Sequence, residues 1–263
     1  MTDLTRAFYD QLASSYDLIY GDWDQAMRRQ AETLDRLIQA ELGPGPFRLL
    51  DCTCGIGTQA IGLAALGHLV HATDLSAAEV ERAKQIAAAH TVSLTFGVAD
   101  VRSLADEVAG SYEVVISVDN ALPHLLTDDD LILAMHNVAR KLEPGGLFLA
   151  SIRDYDQILT ERPRADQPRV FDGPTGRRIV FQVWDWADDG RTYLVHLFIV
   201  QQVDGSWQTS HFATHYRALR RDDLTGFLER AGFGPVRWLS PAESGFYQPI
   251  VLGRLAEVPT NRV

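Results

Sequence analysis

The feature that most constrains the fold of this chain is an alternation of strand-like and helix-like segments between residues 45 and 152. A strand-like segment ends at Leu49-Leu50-Asp51, a glycine turn follows, and an alanine-rich helical segment runs from about Thr58 to Leu66. Strand-like segments end near Asp51, Thr73, Phe96, Val118 and Ile152. This alternation predicts an α/β fold with a parallel, doubly wound sheet.

Different patterns flank this region. Residues 1–44 carry apolar residues at helical spacing from Thr5 to Leu42 and predict an N-terminal helical segment. Over residues 153–218 three strand-like stretches are joined by Asp189-Gly190 and Asp204-Gly205, which predicts an antiparallel β insertion that caps the substrate site. Residues 219–263 are expected to return to the main sheet.

Composition excludes several classes of function. The formal net charge of −11 disfavours a nucleic-acid partner, and the basic clusters are short and interleaved with acids or prolines. The chain has no apolar run of membrane-spanning length, so we expect no membrane partner. Cys52 and Cys54 are too close for an ordinary disulfide and too few for a zinc site, which predicts a reducing, cytoplasmic setting.

The turn after the first strand points to a bound ligand. Gly55 and Gly57 stand where the backbone must turn tightly and approach a ligand closely. Asp74, at the end of the next strand, is placed to accept hydrogen bonds from ribose hydroxyls, or alternatively to cap the helix that follows. The turn lacks the GxGxxG spacing of dinucleotide sites, which weighs against NAD.

In order along the chain stand Asp51, Cys54-Gly55-Ile56-Gly57, Asp74, Gly97-Val98-Ala99-Asp100 and Leu142-Glu143-Pro144-Gly145-Gly146. With these motifs, residues 45–152 resemble the class I S-adenosylmethionine-dependent methyltransferases. The resemblance implies a Rossmann-like, mostly parallel seven-stranded sheet, an N-terminal helical lid and S-adenosyl-L-methionine as cofactor. It also implies cofactor contacts from Tyr16, Tyr20, Trp23, Arg29, Asp51, Thr53, Gly55, Asp74, Leu75, Asp100, Val101 and Val118.

Two further segments, residues 119–125 and 151–159, are similar to glycine N-methyltransferase and its bacterial glycine/sarcosine relatives. This likeness implies that Asn120 and His124 lie near the reacting methyl, that Arg153 grips a substrate carboxylate, and that Tyr216 lies over the substrate. A planar guanidinium suits that task because it binds a carboxylate through two parallel hydrogen bonds. Arg153 has an alternative role as a salt-bridge partner of Asp154 or Asp156.

The chain also departs from that group. Asp119 stands where the relatives commonly have glycine, and Ala121-Leu122 replaces a more polar pair. We therefore expect methyl transfer to a small molecule, with the amine of an amino acid or related metabolite favoured. An O- or C-methyltransferase of a larger metabolite, with His124 or a histidine of the insertion as base, and a non-catalytic cofactor-binding module remain alternatives. A homo-oligomer is compatible with the sequence.

Histidines of the insertion raise the question of a metal. His196, His211 and His215 alternate along the strand-like stretches, but no pair shows a recognised ligand spacing. We expect a structural role for them and no metal.

Overall fold

The computed structural model describes residues 2–173 and 176–256 of the chain. Its helices are α1 (Thr2–Leu12), α2 (Trp23–Leu42), α3 (Thr58–Ala65), α4 (Ala77–Ala89), α5 (Leu104–Glu107), α6 (Asp128–Lys141), α7 (Tyr155–Glu161), α8 (Arg221–Arg230) and α9 (Pro241–Ser244). Its strands are β1 (Arg48–Asp51), β2 (Leu69–Asp74), β3 (Thr95–Val98), β4 (Tyr112–Ser117), β5 (Leu142–Ser151), β6 (Arg169–Gly173), β7 (Gly176–Trp186), β8 (Thr192–Val203), β9 (Ser206–Arg217), β10 (Phe233–Leu239) and β11 (Ile250–Leu255). Short 3-10 turns lie at Tyr16–Ile19 and Leu122–His124.

The main sheet has seven strands in the order β10-β11-β5-β4-β1-β2-β3. Strands β1 to β5 pair in parallel, and β11 runs antiparallel to both of its neighbours. The strand order reverses between β1 and β4, and ligands bind at such a switch point, beyond the carboxyl ends of the strands. This topology confirms the predicted Rossmann-like, mostly parallel seven-stranded fold.

Successive side chains of the central strands are buried on opposite faces of this sheet. Leu49 of β1 belongs to a cluster with Leu34 of α2, whereas its neighbour Leu50 belongs to another with Met135 of α6. Both leucines are fully buried. Helices therefore cover both faces, which explains the nearly continuous apolar character of the strands.

A second sheet, β6-β7-β8-β9, is antiparallel throughout. The turn between β8 and β9 uses Asp204 and Gly205, both at positive φ, as a tight hairpin requires. The predicted antiparallel insertion is therefore present, with β8 and β9 at the expected bounds. Strand β6 and helix α7 were not expected from the sequence.

The N-terminal helical pattern is interrupted. The sequence suggests helical spacing from Thr5 to Leu42, but the chain turns after α1, and α2 starts at Trp23. The Asp22 carboxylate caps α2 by accepting a hydrogen bond from the Gln25 N–H at 2.9 Å, which fixes this start.

Helix α1 rests on the second sheet and not only on the core. Phe8 and Leu12 cluster with Leu197 and Ile199 of β8. Arg178 of β7 adds a polar link to the loop after α1, since its guanidinium donates to the backbone carbonyls of Leu18, Tyr20 and Gly21. The N-terminal segment and the second sheet are thus fastened to each other.

Across residues 2–173 and 176–256, none of the helices combines the length and the apolar character that crossing a bilayer demands. Residues 257–263 of the expected C-terminal segment lie outside the described residues.

Candidate active site

The glycine turn and Asp74 form one hydrogen-bonded unit at the carboxyl edge of the main sheet. Gly55 and Gly57 have φ of 52° and 87°, and a Cβ added to Gly57 would lie 2.8 Å from a carbon of Ile61. The Asp74 carboxylate accepts from the N–H groups of Gly55 and Ser76, each at 2.9 Å. Ser76, and not Asp74, is the N-cap of α4, so the capping alternative for Asp74 does not hold.

A first cavity opens above this unit. The predicted cofactor residues that line it are Tyr16, Thr53, Gly55, Asp74, Leu75, Asp100, Val101 and Val118. Its composition fits a nucleoside cofactor, because Asp74 offers acceptors for ribose hydroxyls and the side chains of Leu75 and Val101 offer an apolar wall for a flat base. Asp100 is already engaged by the Arg102 guanidinium at 2.6 Å.

Four predicted cofactor residues lie elsewhere. Tyr20 and Arg29 line a second cavity. Trp23 lines neither cavity, because its indole N–H donates to Thr58 Oγ1 at 3.1 Å and its ring lies beside His90. Asp51 is fully buried beneath the turn, where burial raises its pKa to about 8 and one carboxyl oxygen accepts from Thr53 N–H at 3.3 Å. These four residues therefore do not line the first cavity.

The second cavity, of about 680 Å³, lies between the N-terminal segment, the second sheet and the loop before β11. Asn120, Arg153 and Tyr216 line it, as expected for residues that contact an acceptor. Tyr9, Tyr16 and Asp119 line both cavities, and we call these three residues the shared wall. Two molecules bound in the two cavities would meet at this wall.

Arg153 projects into the second cavity without an acidic partner. Its guanidinium donates to Gln182 Oε1 at 3.0 Å and to the Tyr193 hydroxyl at 3.3 Å. It also lies over the rings of Trp184 and Tyr216, at 5.0 Å and 5.3 Å from their centroids.

The carboxylates next to Arg153 in the chain face other arginines. Asp154 pairs with Arg221 and Asp156 with Arg220, so the salt-bridge alternative for Arg153 fails. In the part of the chain that the structure describes, Arg153 forms no ion pair. The half-buried guanidinium is thus held by neutral acceptors and aromatic faces, while the Asp119 and Asp166 carboxylates act on its charge without forming an ion pair.

Asn120 is held in an uncommon backbone conformation. Its φ is 66°, in the left-handed region that asparagine and aspartate tolerate better than most residues. Its side-chain oxygen accepts from the Arg153 N–H at 3.0 Å, whereas its buried Nδ2 has no partner among the described residues. That amide group is available to donate to a bound molecule.

His124 lies at the edge of the first cavity, against the lid and the second sheet. Its Nε2 shares a hydrogen bond of 2.7 Å with the Tyr9 hydroxyl, and its ring centroid lies 4.1 Å from that of Tyr216. Burial lowers the pKa of His124 to about 3, so the imidazole is neutral near physiological pH. It therefore offers polarity to the site without charge.

Several site residues escaped the sequence reasoning. Gln182 and Tyr193, which accept hydrogen bonds from the Arg153 guanidinium, lie on β7 and β8, and Tyr247 lies in the loop before β11. A strand pattern gives alternation but not which face meets a cavity, so no signal marked them. Asp119 had one signal, its departure from the glycine of the relatives.

The histidines of the second sheet line neither cavity. His196 forms hydrogen bonds with His211 at 2.9 Å and with Asp185 at 3.1 Å. Within the described ranges, no three His, Cys, Asp or Glu side chains are grouped so that they could hold a metal ion.

Comparison with known proteins shows which proteins this chain is similar to. Residues 49–146 match a family model described as a methyltransferase domain. The chain is 34% identical over 145 residues to the tRNA 5-carboxymethoxyuridine methyltransferase of Escherichia coli K12, covering 53% of this chain and 54% of that protein. It is 26% identical over 155 residues to the glycine/sarcosine N-methyltransferase of Halorhodospira halochloris, covering 59% and 56%.

Among solved structures, an S-adenosylmethionine-dependent methyltransferase from Clostridium acetobutylicum ATCC 824 superposes with a TM-score of 0.73 at 16% identity, covering 94% of this chain and 99% of that one. The matched regions span about half the length of the two curated relatives. The family match supports a methyltransferase domain over residues 49–146, and the superposition confirms the expected fold. The tRNA enzyme's name weighs against excluding a nucleic-acid substrate on net charge alone.

Proposed function

Given a methyltransferase domain in residues 49–146, we propose that this chain transfers the methyl group of S-adenosylmethionine to the amine nitrogen of a small molecule that also carries a carboxylate. The observation that carries this proposal is Arg153, a guanidinium that faces the second cavity and forms no ion pair within the described residues.

An unpaired guanidinium in such a place is costly unless a ligand compensates it. Removing a charge from water loses hydration, and proteins ordinarily repay that loss with an opposite charge and further hydrogen bonds. Gln182, Tyr193 and the two rings orient the group, and the nearby Asp119 and Asp166 carboxylates offset only part of its charge because neither forms an ion pair with it. A carboxylate of the acceptor would supply the missing charge in bidentate geometry.

The arrangement of the two cavities suits a direct transfer between bound molecules. S-adenosylmethionine supplies an electrophilic methyl group on a sulfonium. The chain's own residues then have three tasks: Asp74 and the glycine turn hold the donor, Arg153 and Asn120 orient the acceptor, and Tyr9 and Tyr16 of the lid exclude water. Positioning of this kind requires no covalent intermediate with the protein.

The name of one relative supports the acceptor class, and the cavity refines the size of the acceptor. The Halorhodospira protein is named for glycine and sarcosine, which are amino acids. A second cavity of about 680 Å³ has more room than glycine needs. We therefore infer an acceptor larger than glycine, with its carboxylate at Arg153 and its amine at the shared wall.

An oxygen acceptor is the second candidate. The same roomy cavity has aromatic walls from Trp184, Phe246 and Tyr247, which would suit a larger ring-bearing metabolite. His124, whose imidazole is neutral, lines the first cavity. In that case the neutral imidazole would accept a hydroxyl proton, and Arg153 would be dispensable.

The deciding experiment begins with the product. Purified protein and labelled S-adenosylmethionine are offered a metabolite extract, and the mass and fragmentation of labelled products identify the methylated atom. A nucleic-acid fraction of the same extract tests for RNA acceptors. Labelled N-methyl amino acids are expected; labelled ethers, esters or RNA would contradict the proposal, and no labelled product would favour a non-catalytic module.

Steady-state kinetics on the identified acceptor then test Arg153. Arg153→Lys keeps the positive charge but loses the planar guanidinium that binds a carboxylate through two hydrogen bonds, so KM for the acceptor should rise about tenfold or more. The affinity for S-adenosylhomocysteine should stay unchanged. Arg153→Ala should be worse. Arg220→Lys, which alters an arginine paired with Asp156 outside the cavities, is the matched control. A normal KM in Arg153→Ala would remove the carboxylate from the proposal.

A further inference from the structure

The shared wall contains one acid, Asp119, and its surroundings differ from those of the other buried carboxylates. Asp74 is tied to two backbone N–H groups of the glycine turn, and Asp51 is enclosed beneath it. Asp119 instead lines both cavities, at the place where an acceptor atom would meet the methyl group.

The backbone conformation at Asp119 is unfavourable for a residue that has a side chain, which indicates that the carboxylate has a function. Asp119 and Asn120 have φ of 60° and 66°, and two successive non-glycine residues in the left-handed region are unfavourable. Ser151 holds them there, because its hydroxyl accepts from Asp119 N–H at 2.8 Å and its carbonyl from Asn120 N–H at 3.1 Å. Glycine would fit without strain, so a carboxylate at this position is a departure that needs a reason.

Tyrosines surround the carboxylate from two sides. Tyr20 of the N-terminal segment donates to one carboxyl oxygen at 3.0 Å, and Tyr247 of the loop before β11 donates to the other. Tyr16 also faces it, and Arg153 faces it from the end of β5. Phenols orient a carboxylate without neutralising it, and their rings attract cations through the aromatic face.

From this placement we propose that Asp119 binds the ammonium group of the acceptor and takes its proton before methyl transfer. The inference rests on the proposed function, because it assumes an amine acceptor. An ammonium group has no lone pair and cannot attack a methyl group. A carboxylate at the shared wall removes that obstacle where the two substrates meet.

The protons and electrons balance as follows. One proton passes from the acceptor ammonium to an Asp119 oxygen, which leaves a neutral amine. The amine's lone pair forms the nitrogen–carbon bond while the carbon–sulfur bond breaks, and the electrons of that bond stay on sulfur. The products are S-adenosylhomocysteine and a methylated ammonium, and Asp119 releases its proton to solvent after they leave.

The chemistry of the carboxyl group is compatible with this role. Burial raises the pKa of Asp119, while the bonds from Tyr247 and Tyr20 and the charge of Arg153 oppose the rise. A base works best when its pKa lies near the operating pH, and a raised carboxyl pKa approaches that condition.

The test uses Asp119→Asn, because asparagine tolerates the left-handed backbone and has the same shape. Near neutral pH the variant should lose about 10²- to 10⁴-fold in kcat/KM. The loss should shrink as the pH rises towards the pKa of the free amine, since solvent then supplies the neutral acceptor. Tyr247→Phe removes one donor and should move the acidic limb of the wild-type kcat/KM profile to higher pH.

Binding measurements separate this inference from the proposed function. Phenylalanine, phenylpropionate and phenethylamine are titrated into complexes with S-adenosylhomocysteine and compared by calorimetry. Asp119→Asn should weaken the two amines and spare phenylpropionate, whereas Arg153→Lys should weaken the two carboxylates and spare phenethylamine. Failure of the second pattern alone overturns the role of Arg153, and failure of the first alone overturns that of Asp119.

Two further outcomes would also overturn the inference. A loss of S-adenosylhomocysteine affinity of more than about tenfold in Asp119→Asn would place the carboxylate in the cofactor site. A deficit in kcat/KM that is constant from about pH 6 to pH 9 would indicate a structural role, since such a role does not track amine ionisation.

Discussion

Asp74 shows how one carboxylate can serve the fold and a ligand together. Its two oxygens accept the N–H groups of Gly55 and Ser76, yet each oxygen of a carboxylate has about two acceptor positions. The remaining positions face the first cavity. The residue thus fixes the glycine turn in place and presents acceptors at the same point.

Replacing Asp74 should therefore weaken cofactor binding strongly. Asp74→Ala should cost about 2 to 4 kcal/mol of S-adenosylhomocysteine affinity, because hydrogen bonds to a charged acceptor are lost. Calorimetry measures the change, and Asp106→Ala, on an exposed acid paired with Arg140, is the control. Unchanged affinity in a folded Asp74→Ala variant would exclude the residue from the site.

His124 makes a prediction about stability and pH. The folded-state pKa of about 3 lies below the value of about 6.5 expected in the unfolded chain. Only the unfolded state binds the proton between these values, so the free energy of unfolding is lowered as pH falls from about 6.5 towards 3.

A neutral replacement should remove this pH-dependent loss. His124→Gln should lose less stability than the wild type when the pH falls from about 7 to about 5, as measured by urea unfolding. His136→Gln, at an exposed position, controls for the removal of a histidine. Equal losses in His124→Gln and wild type would show that His124 titrates alike in both states.

At the scale of helices and strands, local signals predicted most of the core. The limits of α4 follow from Ser76 and the end of its alanine-rich run, and β8 and β9 are bounded by Asp-Gly turns and alternating side chains. Strand β6 was not predicted from the sequence because it is defined by its pairing with β7, which a local pattern does not reveal. The break between α1 and α2 escaped because apolar spacing continued across it.

Helix α1 is expected to open as a local unit whose closure depends on its contact with the second sheet. Phe8 packs edge-on against Phe212 of the second sheet, with ring centroids 6.4 Å apart. Phe8→Ala should therefore speed amide hydrogen exchange in α1 by tenfold or more, which corresponds to about 1.4 kcal/mol or more of local opening energy, and weaken binding in both cavities. Leu4→Ala, at a position 62% exposed, is the control. Unaltered exchange in α1 would mean that the sheet contact does not hold the lid.

At the scale of the whole molecule, the two sheets contribute residues to different cavities. The main sheet supplies most of the first cavity, while β7 to β9 supply Gln182, Trp184 and Tyr216 to the second. The sequence predicted the first cavity well because its residues follow strand ends in a fixed order. It placed Asn120, Arg153 and Tyr216 at the second cavity but missed Gln182 and Tyr193, because the positions of those two depend on how one sheet packs on the other.

This division predicts separable kinetic effects. Trp184→Phe preserves an aromatic side chain but weakens the contact with the Arg153 guanidinium, so KM for the acceptor should rise about 2- to 10-fold while S-adenosylhomocysteine affinity is retained. Trp207→Ala, at a half-exposed position of β9, is the control. A parallel loss of cofactor affinity would show that the sheets do not divide the work in this way.

The link from Arg178 to the carbonyls of Leu18, Tyr20 and Gly21 bears on repeated turnover. Because this link fastens the N-terminal segment to the second sheet, we expect both cavities to open in one motion. Spent cofactor would then leave only when the methylated acceptor is also free to leave. Methylation of an amine with several replaceable protons would be distributive, and the monomethylated compound should accumulate in solution before any dimethylated compound forms.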